Sequence, residues 1–364
     1  MVKFLDLHAQ YLSIKDDIDA AIADVIANSA FIGGKYVAAF ETEFAAWTGA
    51  NYCIGVGNGT DAIEIAIEAM DLPTGSEVIV PGNTFIASSE AVSRLGHKVV
   101  FADVDSGSYT ITPESVRAKL SPKTAAIMAV HLYGHPCDMD GLAEIASEHG
   151  LRIIEDCAQA HGARYKERPV GTIGDVGTFS FYPGKNLGAY GDAGAIVCND
   201  EAYGKRLRMI ANHGRTAKYD HQFEGRNSRL DGLQAAVLSA KLKHLDGWIK
   251  KRIAIADRYL DGLAGVNGLI LPSRKNWAHQ VYHLFVVRTG RRDALAAHLS
   301  EVGIQTGVHY PIALPKLGAY LSHGQAEEDL FVNRSDETLL SLPIGEHMSI
   351  ADADIVIGAI RKFF

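Results

Sequence analysis

Between Tyr52 and Cys198, short apolar runs alternate with segments whose apolar residues recur at helical spacing. The candidate strands are Cys53–Val56, Glu77–Val80, Val99–Ala102, Ala125–Val130, Arg152–Glu155, Gly177–Phe181 and Gly194–Cys198. The candidate helices between them are Asp61–Met70, Ala87–Arg94, Pro113–Leu120 and Met139–His149, the third signalled by Thr112 as its cap and Pro113 in its first turn. Strand, helix and strand in repeated order form crossover units. The pattern therefore constrains this region to an α/β domain with a mostly parallel sheet and helices on both faces. The last three strands lie too close together for a full helix between each pair, which predicts an antiparallel stretch at that edge.

The flanks read differently. Ile18, Ile22, Val25 and Ile26 give Ile14–Ala27 an amphipathic pattern, and a second helix is expected over Val37–Thr48. Beyond Glu201 the chain turns helical, with Leu230–Leu263 expected as two helices. A smaller α+β pattern follows: strand Val281–Val287, helix Arg292–Val302, strand Gln305–His309 and closing helix Ile350–Lys362. A length of 364 residues suits two domains, at roughly 100–200 residues each. The expected boundary assigns 1–247 to the large domain and 248–364 to the small one.

Hydrophobic residues make up 47% and charged residues 21%, enough apolar surface for a sizeable core and against disorder. The net charge is −8 with the basic residues scattered, which speaks against a nucleic-acid partner. A single phosphate needs only a local nest of donors and stays open. No apolar signal core or bilayer-length apolar stretch is present, so no membrane partner is expected and the cytoplasm is the expected location. Cys53, Cys137, Cys157 and Cys198 are widely spaced and read as small buried hydrophobes of a reducing compartment.

Three stretches carry chemistry. Gly55-Val56-Gly57-Asn58-Gly59-Thr60-Asp61 follows a strand and opens a helix. Free N–H groups at such a start attract anions, and glycines let the backbone approach a phosphate. Taken singly it is no more than a tight turn. Its spacing is not that of a dinucleotide loop, and Val78-Ile79-Val80 runs into Pro81 without the acidic residue a ribose would need. Arg152-Ile153-Ile154-Glu155-Asp156 is an apolar strand ending in two carboxylates, one of which would face a ligand at the carboxyl end of the sheet. Such a carboxylate can keep a pyridine nitrogen protonated and make the ring an electron sink. The pattern leaves open which of the two it is. Phe179-Ser180-Phe181-Tyr182-Pro183-Gly184-Lys185 brings a lysine out of a buried strand into a turn, where a lowered proton affinity would make it a nucleophile for aldehydes. A lone lysine is usually an exposed loop residue; nest, acid and lysine together on one domain outweigh that reading. His131 and His135 have metal-pair spacing but no third ligand in view, so no metal is expected.

The stretches 57–62, 155–163, 179–188 and 227–231 resemble the DegT/DnrJ/EryC1/StrS family of sugar aminotransferases, and the similarity runs from Phe4 to about Pro343. The resemblance implies fold type I of the pyridoxal phosphate enzymes, like aspartate aminotransferase, with a large mixed-sheet domain and a smaller C-terminal α+β domain. It implies that Lys185 forms the internal aldimine with pyridoxal 5'-phosphate, which passes through pyridoxamine phosphate during turnover. Asp156 is then the partner of the pyridine nitrogen and Gln159 of the ring hydroxyl. Phe85 stacks on the ring, and Gly59, Thr60 and Ser180 hold the phosphate. Asn227 reaches the phosphate in the other subunit of a homodimer, and His309 and Tyr310 lie near the sugar nucleotide. His161 either lines the site or braces it. Some members carry His in place of the lysine and dehydrate, so Lys185 favours transamination. The implied reaction moves an amino group from L-glutamate to a nucleotide-linked ketosugar, most similarly to members that aminate C3 of dTDP-linked 3-keto-6-deoxyhexoses. Amination of a 4-keto or UDP-linked 3-keto sugar, or a regulatory relative without turnover, are the alternatives.

Overall fold

The computed structural model describes residues 1–364. Its centre is a seven-stranded sheet made of β1 (Tyr52–Val56), β2 (Glu77–Pro81), β3 (Lys98–Ala102), β4 (Thr124–Val130), β5 (Arg152–Asp156), β6 (Val176–Ser180) and β7 (Gly194–Cys198), in the spatial order β1-β7-β6-β5-β4-β2-β3. Neighbours pair in parallel except around β7, which is antiparallel to both β1 and β6. The antiparallel strand thus lies one place in from the edge, and the other six all point the same way.

Successive strand residues face opposite sides of the sheet, and the packing shows it. Val78, Val80, Met128 and Ile154 share a core with Ile63 and Ala66 of α4 (Gly59–Met70), Val92 of α5 (Ala87–Arg94) and Leu207 of α8 (Glu201–Ala211). Ile79, Ile127 and Ile153 pack the other way, against Leu142 and Ile145 of α7 (Met139–His149). Near β1, Cys53 and Val197 meet Phe40 and Phe44 of α3 (Gly34–Thr48) and Leu238 and Leu245 of α9 (Gly232–Leu263). All four cysteines are buried and free. The short helix α6 (Pro113–Arg117) stops before the expected Leu120, although Thr112 and Ser115 form a full capping box at its start. The amino-terminal segment contributes α1 (Leu7–Ser13) and α2 (Lys15–Ala27).

Residues 230–263 do not form two helices. They form α9, one helix of 32 residues. Its central Gly247 has open space around it and costs helix stability without breaking the hydrogen-bond ladder. The residue-247 boundary falls inside this helix. Leu245, Trp248 and Ile249 pack with the large sheet, while Ile255, Tyr259 and Leu263 pack on the smaller C-terminal core. That core holds an antiparallel pair, β8 (Phe285–Arg288) and β9 (Leu339–Leu342), with α10 (Arg292–Glu301) and the closing helix Ile350–Phe363. The strand expected at Gln305–His309 is not formed. The segment splits its backbone bonds between two partners, the Gln305 N–H donating to the Val2 carbonyl while Gly307 keeps a single bridge to Ser341 of β9. No helix is long and apolar enough to cross a membrane.

Candidate active site

The loops after β1, β2, β5 and β6 all leave the carboxyl ends of strands that point the same way, and together they enclose a cavity of about 830 Å³. Its lining includes Gly59, Thr60, Phe85, Asp156, Gln159, Ser180, Lys185 and Tyr310.

At one end is the start of α4. Asn58 caps it, accepting from the Asp61 N–H at 2.8 Å, so the N–H groups of Gly59 and Thr60 carry the unpaired positive end of the helix. A Cβ on Gly59 would lie 2.6 Å from the Cβ of Ser180. Glycine is needed here so that β6 can bring the Ser180 hydroxyl beside the helix start. Gly55 plays a similar part for Leu230, whose Cβ would be 2.7 Å away. The 227–231 stretch also ties down the loop through Ser228, which accepts from the Gly57 N–H at 3.0 Å and donates to Asp61 at 2.6 Å.

The two carboxylates at the end of β5 part ways. Asp156 lies on the cavity, buried, and accepts from Ser88 Oγ at 2.7 Å and from the Ala158 N–H at 3.1 Å. Glu155 faces the opposite side, fully buried. It accepts the N–H groups of Gly171, Ile173 and Gly174 and pairs with His131 Nε2 at 3.0 Å. His131 Nδ1 accepts from the Cys137 N–H, so Nε2 is the protonated nitrogen that donates to Glu155. His135 is engaged elsewhere, with Nδ1 on the Pro136 carbonyl and Nε2 on the Lys275 N–H. His161 is fully buried against Phe179 and Phe181 and lines no part of the cavity, so it braces. Burial and the Lys185 charge push its pKa down to about 3.

Lys185 lies where the main cavity adjoins a second chamber of about 230 Å³. Burial pushes its pKa down to about 8, with Asp156 pulling the other way. Gln159 is held in one orientation: its Oε1 accepts from the Tyr133 N–H at 2.8 Å, and its Nε2 donates to Tyr310 Oη at 3.0 Å. Phe85 is 53% exposed, so it is not a core residue; its ring sits 5.8 Å from that of Tyr310. His309 lies in the second chamber, stacked on Phe4, with its pKa lowered to about 4 by burial and by Lys185. Asn227 is exposed and lines neither space, whereas its neighbour Arg226 lines the main cavity.

Several lining residues went unnoticed in the sequence: Thr84, Ser88, Asp192 and Arg226 in the main cavity, and His283 in the second chamber. Thr84 and Ser88 had a usable signal, since they lie either side of Phe85, Thr84 in the loop leaving β2 and Ser88 in the first turn of α5. Nothing local marks His283, which comes from the small unit. Together the lining offers a helix-start anion nest, a buried carboxylate, a fixed amide donor, an open aromatic face and a lysine of lowered proton affinity. That set fits a phosphate-bearing pyridine aldehyde.

Residues 12–361 match the DegT/DnrJ/EryC1/StrS aminotransferase family. A dTDP-3-amino-3,4,6-trideoxy-alpha-D-glucose transaminase of Streptomyces venezuelae is 46% identical over 365 residues, spanning 100% of this chain and 96% of the relative. A dTDP-3-amino-3,6-dideoxy-alpha-D-galactopyranose transaminase of Aneurinibacillus thermoaerophilus is 44% identical over 364 residues, spanning 100% of this chain and 99% of the relative. The X-ray structure of S. venezuelae DesV in complex with a ketimine intermediate superposes with a TM-score of 0.97 at 46% identity, covering 100% of this chain and 98% of that one. The chain therefore belongs to the DegT/DnrJ/EryC1/StrS aminotransferase family, whose chemistry is the pyridoxal phosphate-dependent transfer of an amino group.

Proposed function

We propose that this protein transfers an amino group from L-glutamate to the C3 carbonyl of a nucleotide-linked 3-keto-6-deoxyhexose, dTDP-linked by its likeness to the two transaminases above. The observation that most supports this is that Lys185 and Asp156 border one cavity together with the open end of α4. Pyridoxal phosphate, when bound, supplies an electrophilic carbonyl carbon and an electron-withdrawing ring. The N–H groups of Gly59 and Thr60, with the hydroxyls of Thr60 and Ser180, hold its phosphate. Asp156 keeps the ring nitrogen protonated, Gln159 donates to the ring hydroxyl, and Phe85 covers a ring face. Lys185 Nζ, of lowered proton affinity, would anchor the cofactor, and its neutral amine would carry the proton at the substrate carbon. His309 and Tyr310 border the chamber adjoining Lys185 and contact the sugar. Asn227, absent from this cavity, serves the phosphate of the partner subunit in a homodimer.

The test follows the visible absorption of the bound cofactor together with the mass of the sugar product. L-Glutamate should bleach the band, and a dTDP-linked 3-keto-6-deoxyhexose should restore it while gaining an amine. Restoration only by a UDP-linked or 4-keto sugar would replace the proposed substrate. A band that no amino donor moves would overturn transamination.

A further inference from the structure

Asp156 does not stand alone in its wall of the cavity. Ser88 Oγ donates to Asp156 Oδ2 at 2.7 Å, the length of a hydroxyl bound to a carboxylate, and Thr84 Oγ1 lies 3.0 Å from Ser88 Oγ. A serine has one hydroxyl hydrogen, and that of Ser88 is committed to the carboxylate. The Thr84 hydroxyl must therefore be the donor to Ser88, which gives the chain a direction: Thr84 to Ser88 to Asp156. The Ala158 N–H holds the other carboxylate oxygen, so both oxygens are fixed. All three side chains are buried, and all three border the cavity.

Ordinary packing does not explain the arrangement. Ser89 and Ser93, on the same helix as Ser88, satisfy their hydroxyls on carbonyls of their own helix, those of Ile86 and Ser89. Ser88 instead donates to Asp156. The segment leading into α5 also delivers Phe85, so one turn supplies a ring-facing aromatic and a hydroxyl for the acid.

We propose that Ser88, backed by Thr84, is a positioning residue for Asp156, holding the carboxylate turned toward the cofactor's ring nitrogen. This rests on the reading that Asp156 is the ring-nitrogen partner. Without the Ser88 donor the carboxylate is free to turn away from the ring nitrogen, which loosens the ring proton and weakens the electron sink.

The experiment reconstitutes the full-length protein with pyridoxal phosphate labelled with nitrogen-15 in the ring and reads the protonation of that nitrogen by its resonance. Dissociation of pyridoxamine phosphate is measured in parallel. The wild type should show a protonated nitrogen. Ser88→Ala should move the resonance toward the unprotonated position and weaken pyridoxamine phosphate roughly tenfold. Thr84→Val should weaken it about threefold, Thr84→Ser should restore it, and Thr84→Val should add nothing on top of Ser88→Ala, because Thr84 acts through Ser88. If Ser88→Ala does not fold, Ser88→Cys keeps the volume with a weaker donor and should give an intermediate shift. Asp156→Ala separates the two levels. If it moves the resonance and the Ser88 variants do not, the positioning role is wrong and the Asp156 reading stands; if Asp156→Ala leaves the nitrogen protonated, both fall.

Discussion

An amine attacks an aldehyde only when it is not an ammonium, and Lys185 is placed to be neutral often enough. With its pKa pushed down to about 8, roughly a tenth of it is neutral at pH 7, against well under a hundredth for an ordinary lysine. The rate at which cofactor-free protein takes up pyridoxal phosphate should therefore rise from pH 6.5 and level off above about 9, an ordinary lysine continuing to climb past 10. Rapid-mixing absorbance at fixed cofactor concentration measures this. Lys185→Ala should leave no covalent adduct after borohydride reduction, by intact mass. Lys185 was legible as a candidate because it sits in the glycine-containing turn that follows a buried strand. The extent to which its proton affinity is lowered was not, since that depends on how deeply the fold buries it, against the pull of Asp156. The choice between Glu155 and Asp156 was likewise closed to a reading of alternation alone, because the sheet is buried on both faces.

At the scale of elements, the turn that carries Lys185 is held by α9. Lys241 donates to the Gly188 carbonyl at 2.7 Å with its ammonium over the Tyr190 ring, and Gln234 accepts from the Tyr190 N–H at 2.8 Å. Lys241 is fully buried, and burial pushes its pKa down to about 8. In the unfolded chain it titrates near 10.5, so between about pH 8 and 10.5 the unfolded state holds more protons than the folded one. Stability from this residue consequently rises with pH across that window, by on the order of 2 kcal/mol. Lys241→Met should flatten that rise relative to the wild type, read as denaturant midpoints at pH 8 and pH 10. The same helix shows where reading by pattern stops. Its length suggested two helices, yet the backbone runs on as one because each half has its own apolar surface to cover.

Across the whole molecule, Asn227 is the proposed site residue that this chain does not bring to its own cavity. A homodimer with shared sites makes a specific prediction. Co-expressed Lys185→Ala and Asn227→Ala chains form hybrids in which one site has its own lysine and the partner's asparagine intact. Purified mixtures should then recover roughly a quarter of wild-type activity, a level neither variant reaches alone. Sites complete within one chain would recover none of it, and activity per chain in tagged hybrids distinguishes the two.

Local order carried a great deal here. Strand and helix periods, the Thr112 cap and the crossover spacing determined the α/β layers, because period and capping act over a few residues. The glycine loop, the strand-end acid and the strand-end lysine were legible for the same reason: they lie where such strands end, and these ends share one side of the sheet. Alternation left open which carboxylate faces the cavity, and the family resemblance named Asp156, which does line it; tertiary structure alone decided that Ser180 reaches the start of α4 past Gly59, that Gln159 is oriented by Tyr133, and that His309 and Tyr310 border a chamber at Lys185. Each of these joins residues far apart in the chain, and such contacts exist only once packing has chosen which surfaces meet.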